Sequence, residues 1–122
     1  MDANNYQIGG MHYKIDYEVW DLALDVNFNC VLFSVTKYIA RWRTKDGIRD
    51  LEKSLHYLNK GAERGVWPLN FSSQDLMSIR KFLVQLHDED MHILSLVFSN
   101  LHDQAIKEIE NLIFKHEGLY PH

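Results

Sequence analysis

Between Ile48 and Arg64, the positions Arg49, Lys53, Tyr57 or His56, Lys60 and Arg64 recur at intervals close to four residues. On a helix this spacing lines the side chains along one side. The interleaved Ile48, Leu51, Leu55, Leu58 and Ala62 repeat at steps of three and four, which makes the other side apolar. Lys37 and Arg41 stand four residues apart just upstream, and Arg43 and Lys45 fill the stretch between the two segments. If the segments form a helical hairpin, several of these cations converge. A guanidinium offers phosphate oxygens a planar fork of donors and an ammonium offers a compact charge. The chemistry this set could do is therefore phosphate binding, with Tyr38, Trp42 and Tyr57 close enough in sequence to stack on a base. The plain alternative is a solvated cationic helix face.

Other constellations have less pattern. Glu18, Asp21 and Asp25 share one helix face and carry the oxygen ligands a divalent ion takes, although an acidic face is also ordinary surface. The Glu-Glu-x-x-Glu run of helical nucleotide pyrophosphatases is missing. His12 and Tyr13 follow shortly after Gly9-Gly10, where a flexible backbone can bring an imidazole to a ligand. Of the histidines, His87 and His92 lie close together, but neither makes a zinc pattern with a cysteine. Cys30 has apolar neighbours, which predicts a buried thiol and no nucleophilic role. Neither a Gly-x-x-x-x-Gly-Lys-Ser/Thr loop nor a Gly-x-Ser-x-Gly elbow occurs, so phosphoryl transfer here would not use a Walker loop.

The elements that must position these groups are helical. Val19, Leu22, Ala23 and Val26 predict a first helix over 16–26, with Asn27 or Asn29 capping a second from Cys30 to about Trp42. Lys45-Asp46-Gly47 supplies a turn before the Ile48–Ala62 helix, and Pro68 stops its continuation. Ser72 or Ser73 caps a helix carrying Leu76, Ile79, Leu83 and Leu86. Two more are expected, from Asp88 to about Phe98 and from His102 to about His116, the last ending near Gly118. Strand character is confined to a few residues around Met11–Ile15 or Val66–Phe71. The expected fold is all-α, a small bundle of about five to six helices with a helical hairpin over 30–62 at its centre.

Length and charge narrow the function. A chain of 122 residues fits one domain. Its net charge of −4 argues against general nucleic-acid binding, which calls for a basic excess. The positive charge is concentrated: eight cations face four acids from Lys37 to Arg64, whereas four cations face eight acids after Ser72. No apolar run approaches the ~20 residues of a membrane span. The lone cysteine and the absence of a leader predict a reducing cytoplasm.

The series Gly9-Gly10-Met11-His12-Tyr13, Asn27-Phe28-Asn29, Lys37-Tyr38-Ile39-Ala40-Arg41-Trp42 and Lys45-Asp46-Gly47-Ile48-Arg49-Asp50-Leu51-Glu52-Lys53-Ser54-Leu55-His56-Tyr57-Leu58 resembles small bacteriophage proteins of the SaV-like, nucleotide-kinase-like family. The resemblance covers about half the chain, departing at Ser54-Leu55-His56 and after Gly65. It implies a nucleotide-kinase-like helical domain over 1–66; residues 67–122, outside the shared pattern, are expected to form a C-terminal helical extension packed on it in one globular unit. It further implies a homo-oligomer in the cytoplasm of an infected bacterium. The activity implied is a Walker-less deoxynucleoside monophosphate kinase using ATP and Mg2+. The alternatives are a protein that sequesters a nucleotide or other phosphorylated small molecule without turnover, or one that docks on a host protein. The positions carried over are His12, Tyr13, Lys37, Arg41, Lys45, Asp50, Lys53 and Tyr57. Lys37, Arg41 and Lys53 would neutralise phosphate, with Lys45, Tyr13, Tyr57 and Trp42 around the ligand. Asp50 would bind magnesium or orient a cation, and His12 would close over the ligand as the second catalytic residue. A pairing of Asp50 with Arg49, Lys53 or Arg41 is the structural alternative.

Overall fold

Short polar side chains set several of the helix boundaries. In the computed structural model, which describes residues 15–117, six helices follow one another: α1 (Val19–Val26), α2 (Cys30–Arg41), α3 (Ile48–Glu63), α4 (Ser73–Leu83), α5 (Asp88–Phe98) and α6 (His102–Glu117). Asn29 Oδ1 accepts the Leu32 N–H at 2.8 Å and starts α2, while Asn27 in the left-handed region ends α1. Ser72 and Asp75 exchange side-chain-to-backbone hydrogen bonds, each 3.0 Å, in a capping box that starts α4. Gly47 precedes α3 with φ of 56°, a conformation in which a Cβ is strained. No strand occurs among the described residues, and the fold is an all-α bundle as the periodicities predict. No helix among them is long and apolar enough to cross a membrane.

The α2–α3 hairpin lies at the centre. α6 packs on α3 and α5, α5 also meets α2 and α4, and α1 lies against α4 and α2. Leu32, Val35, Ile39, Leu51 and Leu58 of the hairpin share one core with Leu22, Phe82, Leu94, Val97 and Ile109, all essentially without solvent contact. Burying side chains of this size contributes roughly 1.5–3 kcal/mol each.

Five details depart from the sequence reading. The buried seam of α3 runs through Leu51, Ser54, Leu58 and Gly61, while Leu55 is half-buried and Ala62 exposed. Small residues line this seam because neighbours come close: a Cβ on Gly61 would lie 2.5 Å from Trp67 Cζ3 and 2.9 Å from Val31 Cγ1. Cys30 is exposed, since the first position of α2 faces away from the side on which Leu32, Val35 and Ile39 are buried. Leu76 is likewise exposed, and α4 buries Ile79, Phe82 and Leu83 instead. α1 begins at Val19, not Asp16, because Gln85 Oε1 takes the Asp16 and Tyr17 amide hydrogens at 3.0 and 2.9 Å, leaving that stretch non-helical. The Val66–Phe71 connector forms no strand; Leu69 and Asn100 exchange hydrogen bonds that tie it to the α5–α6 link. Residues 11–14, the other strand expectation, lie outside the described residues.

The C-terminal helices are anchored on the hairpin by a buried acid that the sequence reading did not single out. Asp90, 2% exposed, accepts hydrogen bonds from Trp42 Nε1 at 2.9 Å and from Arg43 Nε and Nη2 at 2.9 and 3.2 Å. Arg43 Nη2 also donates to Glu89 at 3.0 Å, and Lys115 stands 3.7 Å from the same carboxylate. The Arg43 bond holds the Glu89 carboxyl below its usual range against the opposing effect of burial.

Two substitutions test this packing. Gly61→Ala gains about 1 kcal/mol of helix propensity but loses more to the Trp67 clash, for a net loss of about 1–2 kcal/mol. Asp90→Ala leaves the buried Trp42 indole N–H without an acceptor and Arg43 with Glu89 alone, and should cost about 3 kcal/mol. Urea denaturation reads both as a lower midpoint with an unchanged slope.

Candidate functional site

α2 presents Lys37, Tyr38 and Arg41, and the facing α3 presents Lys53 and Tyr57. Because these residues recur three or four positions apart on each helix, they share the flank where the two helices meet. The rings of Tyr38 and Tyr57 lie nearly parallel, 9° apart, with centroids separated by 6.1 Å. Three cations surround the Tyr38 ring: Lys37 Nζ at 5.2 Å from its centroid, Arg41 Cζ at 5.0 Å and Lys53 Nζ at 5.4 Å. Each lies within the ~6 Å over which the ring quadrupole attracts a cation. Tyr38 therefore gathers like charges that would otherwise repel. In the sequence it reads as one aromatic among several; its place at the hub follows only from the hairpin register.

The cations differ in how firmly they are held. Arg41 grips Asp50 with two bonds, Nε to Oδ2 at 3.2 Å and Nη2 to Oδ1 at 3.1 Å, and the Asp46 amide donates to Asp50 Oδ2 at 3.1 Å. The Asp50 side chain is fully buried, whereas that of Arg41 is 32% exposed. The fork has five N–H donors. Two are used on Asp50, and the others have no partner among the described residues. Lys53 pairs with Asp46 at a looser 3.7 Å, with both side chains about half exposed, a contact worth little in water. Among the described residues Lys37 makes no ion pair. An arriving anion could thus meet Lys37 directly, displace Asp46 from Lys53, and use the free edge of an Arg41 that Asp50 keeps in position.

The remaining sequence-predicted residues are placed as follows. Lys45 is exposed on the α2–α3 turn. Trp42 stands apart from the Tyr38 group: its indole is buried, bonded to Asp90, and edge-on to His116 with centroids 4.9 Å apart. Both Asp50 oxygens are engaged, so a magnesium ion there would have to displace Arg41 or the Asp46 amide. His12 and Tyr13 lie outside the described residues. On α1, Asp21 caps the Glu18 amide at 2.8 Å and Asp25 accepts from the Tyr17 hydroxyl. Burial and that bond push Tyr17 up to about 12. Among the described residues no group of three or more His, Cys, Asp or Glu is arranged to hold a metal ion. A groove of about 120 Å³ lined by Glu89, His92, Glu108 and Lys115 includes none of the sequence-predicted site residues.

Of the three pairings the sequence left open for Asp50, the fold makes the one with Arg41, and Asp46, the partner of Lys53, is the component that charge patterning alone did not single out. The geometry predicts that Asp50→Ala, which strands Arg41, lowers stability by about 3 kcal/mol. Asp50→Asn retains one acceptor and should lose about 1–2 kcal/mol, both read by urea denaturation.

Residues 9–59, the span that carries the motif series from Gly9 to Leu58, match the model of a family described as a protein of unknown function, DUF3310. No curated protein matches the chain. No solved structure matches it either. The N-terminal half of this chain is thus similar to a family for which no activity is described.

Proposed function

We propose that the protein binds the phosphate groups of a nucleotide at the flank shared by α2 and α3, with Lys37, Arg41 and Lys53 as its anion ligands. The observation that carries this reading is the meeting of these three cations around one tyrosine ring, each 5.0–5.4 Å from its centroid. A phosphate oxygen needs donors from more than one direction, and charge-assisted hydrogen bonds are the strong ones. Lys45, at the mouth of the turn, adds to the attraction of an approaching anion. The resemblance to phage nucleotide-kinase-like proteins extends the reading to phosphoryl transfer from ATP to a deoxynucleoside monophosphate. In such chemistry, positioning and charge neutralisation supply most of the acceleration.

A second reading keeps the site without turnover, and the engagement of Asp50 favours it. An acid whose oxygens are both taken up by Arg41 and the Asp46 amide is a positioning group, not a free base or magnesium ligand. Magnesium would enter bound to the phosphates of ATP, to which it binds together with water.

Calorimetric titration of the protein with each deoxynucleoside monophosphate and with ATP and Mg2+, followed by assay for diphosphate, separates these readings. Lys37→Ala and Lys53→Ala should each weaken nucleotide binding about tenfold, as loss of a charge-assisted bond implies, with little change in melting temperature. Diphosphate formation lost in the same variants supports the kinase, and saturable binding without it supports sequestration. Failure of every nucleotide to bind would end both.

A further inference from the structure

We infer that Trp20, backed by Phe33, is the surface on which the base of the nucleotide stacks. The inference rests on the phosphate-binding reading above and deepens it by assigning the base subsite. Trp20 is 61% exposed and Leu24, one turn further along α1, is 75% exposed. The other two indoles are tied into the protein: Trp42 donates to Asp90 and Trp67 to the Val97 carbonyl. The Trp20 N–H has no such partner among the described residues, and its ring instead leans on Phe33 of α2, with centroids 4.7 Å apart and planes at 57°. A large amphipathic ring, fixed from beneath and open above, is what a stacking platform requires.

Its position relative to the cations supplies the argument for a base. Phe33 stands four residues before Lys37 on the same helix, so their Cβ atoms are neighbours about 5–6 Å apart. Lys37 in turn reaches the Tyr38 ring beside Arg41 and Lys53. The open side of α2 thus carries an aromatic platform toward α1 and a phosphate-type cation cluster toward α3, with Lys37 between them. In a nucleotide, a sugar separates the base from its first phosphate, a span on the order of one helical turn, about 5.4 Å. A nucleotide whose base lies on Trp20 beside Phe33 and whose phosphate lies at Lys37, one turn further along α2, would meet both ends. A bare sugar phosphate or pyrophosphate satisfies only the cationic end.

The test compares two probes that differ by the base, deoxyadenosine monophosphate and deoxyribose 5-phosphate, titrated into wild-type protein, Trp20→Ala and Trp20→Phe. Wild type should bind the nucleotide about tenfold more tightly than the sugar phosphate, the scale of one base stacked on an aromatic ring. Trp20→Ala should erase that preference without changing sugar-phosphate affinity, and Trp20→Phe should keep most of it. The exposure of Trp20 means that neither variant should perturb the fold, which circular dichroism checks. A preference that survives Trp20→Ala, or a wild type that binds both probes equally, overturns the base contact while leaving the phosphate site standing. If neither probe binds, both fall. If Trp20→Ala dissociates an oligomer in sedimentation and leaves the preference intact, the platform belongs to a second copy of the chain and the inference is overturned.

Discussion

Removing a carboxylate from water costs several kcal/mol unless its oxygens are met by good partners, and Asp50 has no solvent contact at all. Its partners come from the end of α2 and from the turn that follows: the Arg41 fork and the Asp46 amide. Satisfying this acid in the first turn of α3 fixes where α2 must end relative to α3, and with it the faces the two helices present to one another. The burial of Val35, Ile39, Leu51 and Leu58 in one shared core then follows. A second buried acid acts on the next two residues of the same turn. Asp90 of α5 takes Trp42 and Arg43, so three consecutive residues at the end of α2 are held by two carboxylates from different helices. This is how the C-terminal helices are locked to the hairpin by polar contacts as well as by apolar burial.

The same constraint shapes the candidate site. Because Arg41 is committed to Asp50 along one edge, its other donors point from a fixed base, and preorganised donors bind an anion without the entropy loss of ordering a free side chain. Lys37 and Lys53 are less constrained and complete the arrangement around Tyr38. The excess positive charge near the hairpin persists in a chain whose net charge is −4, a local arrangement suited to a small anion more than to a long polyanion.

Much of the fold is legible in the sequence because local signals and tertiary packing agree. Asn29, Ser72 and the periodicities of Val35/Ile39 and Ile109/Leu112 mark helices that the structure contains. Legibility fails where packing depends on small or polar residues. Ser54 and Gly61 carry no hydrophobic signal, yet they form the α3 seam because Trp67 and Val31 close on Gly61. Asp90 reads as one acid in the first turn of a helix, and only the fold brings it to Trp42 and Arg43. For the site, the cations could be read as one set from their spacing and Asp50 as an acid that could pair with one of three of them, but the choice of Arg41 and the ring at the centre come only from the hairpin register. Trp42 illustrates the limit: its neighbours in sequence suggest a base-stacking ring, and its environment makes it a core indole.

The central claim is that Lys37, Arg41 and Lys53 act together on one anion beside Tyr38. Titration of the isotopically labelled protein with inorganic pyrophosphate, followed by nuclear magnetic resonance, tests it most directly. The account predicts saturable shifts that are largest at the Tyr38 ring and the side chains of these three residues, with Asp46 responding as Lys53 is released. Shifts that fail to saturate, or that spread equally to cations elsewhere such as Arg80 and Lys107, would contradict it.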